Sequence, residues 1–316
     1  MKPELKLISM KEIPIEMVRW LWYPYIPLGK LTLVQGDPGQ GKTTFALAVI
    51  ASLTRGEALP GCPAAEPMNV IYQTAEDGLA DTIKPRLVAS GADCSCVLVI
   101  NEDEKALSFC DARLEEAVRQ TGARLVVLDP IQAYIGEGVD MHRANEVRPR
   151  LKRLGDMAQR TMCAVVLIGH VNKQQGTKSA YRNLGTIDFP AAARSVLVVG
   201  ATKDASDLRA VAQDKNSLTH KGPSLLFEIL EGGSVAWRGG CELSADEVLN
   251  GYGSSHSKVE IMTDELRKLL VQELPASYIF AYAKNIGIGE RTVNEAKERL
   301  GIVSHKVGNR WMWRMP

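Results

Sequence analysis

The chain has 316 residues, and its 38 Lys and Arg residues nearly balance its 37 Asp and Glu residues, which leaves a formal net charge of +1. This balance argues against a protein that holds nucleic acid through bulk positive charge, so any such contact must be local. The length and the 45% hydrophobic content are typical of a globular protein with one large domain or two smaller ones.

The N-terminal residues do not resemble a secretory signal, and no apolar run reaches the roughly 18 residues of a membrane span. The six cysteines include no CxxC pair, which favours reduced thiols over a disulfide framework or a metal site. We therefore expect a cytoplasmic protein without a membrane partner.

Short apolar runs alternate along the chain with longer amphipathic segments. Uninterrupted apolar runs indicate strands buried on both faces, and their alternation with helices predicts an α/β fold with a parallel sheet. The predicted strands are Leu31–Gln35, Val70–Gln73, Leu125–Leu128, Ala164–Ile168 and Ser195–Val199. The predicted helices are Thr43–Leu53, Gly78–Ala89, Asp111–Gln120 and Glu146–Arg160.

From about Arg209 the pattern changes to short strands separated by turn residues. Arg209–Asp214, Leu225–Leu230 and Ser234–Trp237 predict an antiparallel extension of the sheet. A Gly/Ser-rich linker follows at 251–257, so we predict one domain over residues 1–250 and a small one over 251–316.

The small domain has the pattern of three helices and a terminal hairpin. Helices are predicted over Val259–Glu273, from Pro275, and over Glu290–Leu300 after a glycine turn, with a hairpin at Val303–Arg314. This pattern predicts a winged-helix arrangement. Contact with DNA, docking of a protein and a structural role all stay open, because the acidic residues Glu290, Glu295 and Glu298 count against a strong DNA-reading helix.

A glycine-rich motif follows the first predicted strand and opens the first predicted helix. The motif GxxxxGK[ST] is formed by Gly36, Asp37, Pro38, Gly39, Gln40, Gly41, Lys42 and Thr43, and Thr44 continues the helix. Its glycines let backbone N–H groups point at phosphate, next to the positive end of the helix dipole. The motif predicts a triphosphate site in which Lys42 contacts the β- and γ-phosphates and Thr43 holds Mg²⁺.

Other strand ends supply the groups that phosphoryl transfer to water requires. Asp129 ends an apolar strand and predicts a second Mg²⁺ contact. Glu76, with Asp77 in support, is the predicted base that activates water, and His170 is a predicted sensor of the γ-phosphate. Alternatives stay open for each: a turn residue for Asp129, a helix start for Glu76 and Asp77, and a buried structural side chain for His170.

Together these features resemble the RecA-like P-loop ATPases, and within them the RepA-type hexameric replicative helicases and related ATPases of plasmids and phages. The segments 20–30 and 184–195 resemble the corresponding parts of that branch. The resemblance implies ATP and Mg²⁺ as cofactors, with Lys42, Thr43, Glu76, Asp129 and His170 in the roles given above.

The resemblance also implies a homo-oligomeric ring in which a basic residue of the neighbour completes each ATP site. Arg194 and Lys215 are the candidates, and Lys215 is similar to the lysine of a Lys-x-Arg pair. Position 217 is Ser where that pattern has Arg, so Arg209 is an alternative to Arg194, and surface charge remains a further interpretation.

In such rings, loops after Asp129 and His170 face the channel and hold single-stranded DNA. Lys173, Lys178 and Arg182 are the predicted nucleic-acid contacts, because cations on a Gly/Gln/Ser-rich loop can follow phosphates without reading sequence. Arg148–Arg153 falls within a helical pattern, so a channel loop and a solvated helix face both stay open there.

The main hypothesis is a ring-forming, Mg²⁺-dependent ATPase that translocates on or unwinds nucleic acid in plasmid or phage replication. The alternative is an ATP-controlled DNA-binding or partner-loading regulator without unwinding activity. A strand-exchange recombinase fits less well, because no N-terminal polymerisation segment is recognisable. A replication protein is a further possible partner, through the C-terminal domain.

Overall fold

The computed structural model describes residues 5, 7–170, 188–202, 207–250, 258–286, 288–308 and 310–315. The chain divides into two compact units, Met1–Tyr252 and Gly253–Pro316. Each unit has a hydrophobic core of its own. Over these ranges, no helix has both the length and the apolar character needed to cross a bilayer.

A nine-stranded sheet forms the centre of the first unit, preceded by a short hairpin of β1 (Trp20–Trp22) and β2 (Ile26–Pro27). Its strands are β3 (Leu31–Gly36), β4 (Val70–Thr74), β5 (Val97–Leu98), β6 (Leu125–Asp129), β7 (Ala164–His170), β8 (Ser195–Ala201), β9 (Leu208–Asn216), β10 (Ser224–Ile229) and β11 (Val235–Cys241). The spatial order is β11-β10-β9-β8-β3-β7-β6-β4-β5. Neighbours from β8 to β5 run parallel, and β9 to β11 add antiparallel pairs. The predicted α/β class with an antiparallel extension is confirmed.

Helices cover both faces of this sheet. They are α1 (Lys42–Arg55), α2 (Lys84–Ala89), α3 (Ala112–Thr121), α4 (Ala144–Thr161), α5 (Asp188–Ala192) and α6 (Ala245–Asn250). Strand side chains alternate between a core that contains α1 and α2 and a core that contains α3 and α4. Because both faces are covered, the strands are apolar at consecutive positions.

Two elements differ in detail from the prediction. The segment predicted as one helix, Gly78–Ala89, begins with a π-helical turn at Leu79–Ile83, and α2 starts only at Lys84. Pro85 lacks an amide hydrogen and is tolerated in the first turn of a helix, which explains the break. The last strand of the extension continues past Trp237 to Cys241, through Gly239 and Gly240, which weaken the strand signal in the sequence.

The described residues of the second unit form three helices and a three-stranded antiparallel sheet. Its elements are α7 (Lys258–Leu269), β12 (Leu274–Pro275), α8 (Ala276–Asn285), α9 (Glu290–Arg299), β13 (Val303–Val307) and β14 (Arg310–Arg314). The strand order is β12-β14-β13, so β14 lies in the middle. The first helix ends at Leu269, short of the predicted Glu273. The assignment to the winged-helix fold stays a prediction.

Candidate active site

The phosphate loop connects β3 to α1 and is held tightly against the neighbouring strand. A Cβ atom on Gly36 would lie 2.2 Å from the carbonyl oxygen of Val199, so only glycine allows this approach. Gly41 has a φ of 90°, in the left-handed region, and directly precedes α1. The Gln40 side chain accepts a hydrogen bond of 2.6 Å from the Ala201 amide. The strand–loop–helix context that the motif requires is therefore present.

The first turn of α1 has no side-chain cap. Backbone N–H groups at an uncapped helix start are an anion-binding site, strengthened by the helix dipole. Asp37 has a buried carboxylate oxygen, Oδ1, that finds no partner among the described residues. Pro38 and Gly39 are exposed in the middle of the loop, and Thr44 lies in the first turn of the helix.

Lys42 is buried inside the loop, with only 4% of its surface exposed. Its Nζ donates hydrogen bonds of 2.9 Å to the Gly36 carbonyl and 2.8 Å to the Asp37 carbonyl. Burial lowers the pKa of Lys42 to about 8, although nearby carboxylates, that of Asp129 first, oppose this effect. A bound phosphate would stabilise the protonated form of Lys42. The loop therefore presents a buried ammonium group to which a phosphate can bind.

Asp129, at the end of β6, is bound by two hydroxyl groups. Thr43 donates a hydrogen bond of 2.7 Å and Tyr72 one of 3.1 Å to the same carboxylate oxygen, Oδ2. Burial raises the pKa of Asp129, and the carboxylates of Glu76 and Asp77 add to this effect. A buried carboxylate with further carboxylates nearby is an environment that a cation would stabilise.

The donor set fits Mg²⁺ bound together with a nucleotide. In the ranges that the structure describes, no group of three or more His, Cys, Asp or Glu residues could hold a metal ion. Mg²⁺ usually takes only one or two protein oxygens and completes its octahedron with phosphates and water. The adjacent hydroxyl of Thr43 and carboxylate of Asp129 fit that requirement.

Glu76 and His170 lie together at the same edge of the sheet. The Glu76 Oε2 atom is 3.7 Å from the His170 Nε2 atom. His170 ends β7 and pairs with Gly36 at the start of the phosphate loop. Its Nδ1 atom is buried without a hydrogen-bond partner within the part of the chain that is described. The Glu76 side chain remains 62% exposed, which leaves it accessible to water and substrate.

Asp77 has partners different from those of Glu76. Its amide donates a hydrogen bond of 3.2 Å to the hydroxyl of Thr74, and its carboxylate lies 3.5 Å from Arg86 on α2. The two adjacent carboxylates are therefore placed differently, with Glu76 next to His170 and Asp77 next to a helix arginine.

The three cations considered as contacts to the ATP site of a neighbouring subunit lie in two different parts of the sheet. Arg194 directly precedes β8, and Lys215 pairs with Val196 near the start of that strand, so both lie at the amino edge of the parallel strands. The phosphate loop follows the opposite end of β3, about 17 Å away for a strand of this length. Arg209 instead lies beside the loop, with its Cγ 3.7 Å from where a Gly41 Cβ would be.

The Lys215 ammonium is already hydrogen-bonded within its own chain. Its Nζ donates to the carbonyl oxygens of Pro190, Ala191 and Ala193, at 2.8, 3.3 and 2.8 Å. Burial lowers the pKa of Lys215, and the positive charge of Arg194 adds to that. Arg194 is exposed, and its side chain has no hydrogen bond or ion pair with any residue that the structure describes.

The predicted nucleic-acid contacts Lys173, Lys178 and Arg182 lie outside the described residues. The second basic segment, Arg148–Arg153, lies in α4, so the interpretation as a loop is wrong there. Arg148 contacts the buried Asp188, and Lys152 pairs with Asp156 at 2.9 Å. These two cations are helix side chains with partners on the same domain.

Tyr72 is a site residue that the sequence analysis missed. It lies on the same face of the sheet as Asp129, because β4 and β6 are parallel neighbours with Tyr72 opposite Val127 and Thr74 opposite Asp129. A single phenol in an apolar strand was the available signal. That signal identifies no partner until the neighbouring strand is known.

Comparison with known proteins identifies the family of this chain. Residues 3–176 match the AAA domain family. The DNA repair protein RadA of Halalkalibacterium halodurans is 29% identical over 169 residues, which are 52% of this chain and 32% of RadA. The chain thus spans about a third of the length of this curated relative.

Solved structures share the fold at low sequence identity. A DnaB-like replicative helicase, in a structure that describes its interactions with primase, has a TM-score of 0.54 at 14% identity over 67% of this chain and 58% of that one. A separately solved ATPase domain has a TM-score of 0.52 at 15% identity over 66% of this chain and 84% of that one. The KaiC-like protein PH0186 of Pyrococcus horikoshii OT3 has a TM-score of 0.50 at 19% identity over 71% and 99%.

The family match covers more than half of the chain, and the sheet, the phosphate loop and the Thr43–Asp129 pair are consistent with it. The chain therefore belongs to the AAA domain family and is a RecA-like P-loop ATPase.

Proposed function

We propose that this ATPase is a Mg²⁺-dependent motor that forms a ring and translocates on or unwinds nucleic acid, in the replication of a plasmid or phage. The observation that carries the proposal is the convergence of Lys42, the Thr43–Asp129 pair and the Glu76–His170 pair at one edge of the sheet. Together they supply a phosphate cation, oxygen ligands for a metal, a base and a polar sensor.

Each group has a defined chemical task. Lys42 neutralises phosphate charge, and Thr43 and Asp129 hold Mg²⁺, which when bound offsets the charge that develops on the phosphate oxygens. Glu76 orients the attacking water and accepts its proton. His170 lies within reach of Glu76 and ends the strand that leads into residues 171–187, so it can transmit a change at the γ-phosphate to that segment.

In a ring, cations at the amino edge of the sheet would contribute to the ATP site of the adjacent subunit. A head-to-tail contact places one face of a subunit against the opposite face of the next, and such contacts close into rings or extend into filaments. Arg194 lines a cleft of about 390 Å³ with Lys30, Arg148 and Lys152. In a head-to-tail assembly, Arg194 would approach the phosphates of the adjacent subunit and stabilise charge in the transition state.

Single-stranded DNA is the proposed track, with Lys173, Lys178 and Arg182 as its contacts. The names of the relatives support a DNA-related task, since they include a DNA repair protein and a replicative helicase. The small unit from residue 253 is proposed to be a winged-helix domain that contacts nucleic acid or a replication protein.

A strand-displacement assay on a forked duplex tests the motor function. We expect the wild type to separate the strands with ATP and Mg²⁺, and we expect Glu76→Gln to bind the fork without opening it. Asp77→Asn is the matched control, because it removes the same charge one residue away, beside Arg86.

Stimulation of hydrolysis by single-stranded DNA distinguishes the motor from the regulator. At low salt, where phosphate contacts are strongest, we expect the strand to raise the ATPase rate of the wild type. We expect Lys42→Ala to be inactive with or without DNA. A wild-type rate that does not respond to DNA, together with no strand separation, would favour the ATP-controlled regulator.

A further inference from the structure

The terminal hairpin, β13 and β14, carries a different charge from the helix that precedes it. Residues 303–314 contain Lys306, Arg310 and Arg314 and no acidic residue. Helix α9 contains Glu290, Glu295 and Glu298 against three basic residues. The positive surface of the second unit therefore lies on the hairpin, and the helix after the glycine turn is balanced.

The hairpin cations are also accessible to an anion, whereas most of the cations of α9 contact other side chains. Lys306, Arg310 and Arg314 are exposed, and none of them forms an ion pair with a residue in the described part of the chain. On α9, Arg299 lies 3.5 Å from Glu295, and Lys297 donates to the Ser304 hydroxyl at 2.8 Å. The hairpin thus offers the stronger attraction to an anion.

The same hairpin carries an exposed tryptophan. Trp311 and Trp313 alternate on β14 and share a face of the hairpin, but Trp313 is 3% exposed whereas Trp311 is 57% exposed. Trp313 packs against Phe280 with ring centroids 5.4 Å apart and lies under the Lys297 ammonium. Trp311 lies nearer the turn of the hairpin than Trp313, and these contacts do not cover its ring.

The pairing of the hairpin places the aromatic ring beside a cation. Lys306 lies directly opposite Trp311, and Val307 lies opposite Arg310. Residues that face each other across an antiparallel pair have their side chains on the same face, within a few ångströms. The ammonium of Lys306 and the indole of Trp311 therefore form one surface, whereas Arg310 and Arg314 lie on the opposite face of the hairpin because successive residues of a strand alternate.

We propose that the terminal hairpin, and not helix α9, is a binding site for single-stranded nucleic acid. Lys306 contacts a phosphate next to an unpaired base that stacks on Trp311, and Arg310 and Arg314, on the opposite face, add positive charge to the hairpin. Exposed aromatic rings next to unpaired cations match this ligand, because every base has a π-face and every nucleotide a phosphate. The proposal adds a second strand contact to the proposed function and rests on it only for the choice of an unpaired strand.

Fluorescence anisotropy of a labelled oligothymidylate with the full chain, in the absence of nucleotide, tests the site. Trp311→Ala should weaken binding by about tenfold to a hundredfold, the range expected for removal of one stacked base, while Trp311→Phe should largely retain it. Lys306→Ala should lower the slope of log affinity against log salt by about 0.7, because each cation that neutralises a phosphate of a single strand adds about 0.7 to that slope.

The matched control is Arg291→Ala, which removes the same charge from an exposed position at the start of α9. It should bind the strand like the wild type. Loss of binding in this control, with the hairpin variants unchanged, would overturn the proposal in favour of the helix. Equal affinity for duplex and single strand, insensitive to Trp311→Ala, would contradict stacking.

Tryptophan emission gives a second readout that does not depend on variant folding. Stacking should quench Trp311 in the wild type when the oligonucleotide saturates the protein, and this change should be absent in Trp311→Phe. An acidic peptide that competes equally well with the strand would indicate a protein partner and overturn the proposal. Loss of DNA-stimulated hydrolysis with intact hairpin binding would count against the motor and leave this site unaffected.

Discussion

The carboxyl edge and the amino edge of the central sheet use their charged side chains differently. At the carboxyl edge, Lys42 and Asp129 are 4% and 7% exposed, and both are bonded to groups of the same chain. At the amino edge, Arg194 is exposed without a partner among the described residues, while Lys215 is bound to backbone carbonyls. The first edge is suited to bind phosphate, and the second offers Arg194, a cation without a partner in the described part of the chain.

Under the proposed function, a single chain would hold an incomplete catalytic site. In the proposed mechanism, the buried groups bind the nucleotide and the metal, and the trans-acting cation, Arg194, lies on the opposite edge. A second copy, joined head to tail, would supply it. The predictions below test this division of labour, beginning with the largest expected effect.

Replacing Arg194 with Ala should reduce the turnover number for ATP by about a thousandfold, the scale measured for other trans-acting arginines, with little change in nucleotide affinity. Mixing Arg194→Ala with Lys42→Ala should restore part of the activity, because some interfaces then combine an intact phosphate loop with an intact Arg194. Arg153→Ala, at an exposed arginine of α4 that lines a different cleft, is the control and should keep full activity.

If two inactive variants fail to restore each other's activity, although size measurements show mixed assemblies, then Arg194 does not act across an interface. In that case Arg209, beside the phosphate loop of its own chain, becomes the residue to test.

Replacing Glu76 with Gln should lower the turnover number by about a hundredfold to a thousandfold, because the amide cannot accept the proton of water. ATP affinity should stay close to that of the wild type, since Glu76 is exposed and not bonded to the phosphate loop. Single-turnover hydrolysis and equilibrium nucleotide binding measure the two quantities separately. Asp77→Asn should change neither, and an equal decrease in both variants would remove the distinction between the two carboxylates.

Tyr72→Phe tests a positioning role, because the Tyr72 hydroxyl is bonded to Asp129 and burial raises its pKa, which keeps it a hydrogen-bond donor. Loss of a bond worth about 1 kcal/mol should raise the Mg²⁺ concentration needed for half-maximal hydrolysis about fivefold, with ATP affinity in the absence of Mg²⁺ unchanged.

Tyr134→Phe is the matched control, since that buried phenol has no hydrogen-bond partner in the described structure. A purely structural role for Tyr72 would lower thermal stability and leave the Mg²⁺ dependence as it is in the wild type.

The smallest effect concerns pH. Because the pKa of Lys42 is lowered to about 8 and the ammonium is the form that binds phosphate, ATP affinity should fall as the pH rises above 8. Calorimetry in two buffers of different ionisation enthalpy should detect uptake of about half a proton per ATP at pH 8 and almost none at pH 7. Lys42→Arg should abolish the uptake, and a pH-independent wild type would contradict the lowered pKa.

Much of the fold followed from local patterns. The apolar runs predicted the central strands because a doubly covered strand is apolar at consecutive positions, and the glycine motif predicted the loop because its backbone requirements lie within eight consecutive residues, 36–43. The π-helical start before α2 was not predicted, since helix periodicity hardly distinguishes it from an α-helical turn.

By itself, the sequence determined the α/β class, the phosphate loop and the set of strand-end side chains, because each is encoded by residues that are neighbours in the chain. Only the tertiary structure decided that Tyr72 bonds Asp129, 57 residues away, that Asp77 turns toward Arg86, and that Arg194 lies on the far edge. These contacts depend on the order and register of the strands, which arise from packing between distant segments and leave no mark in any one of them.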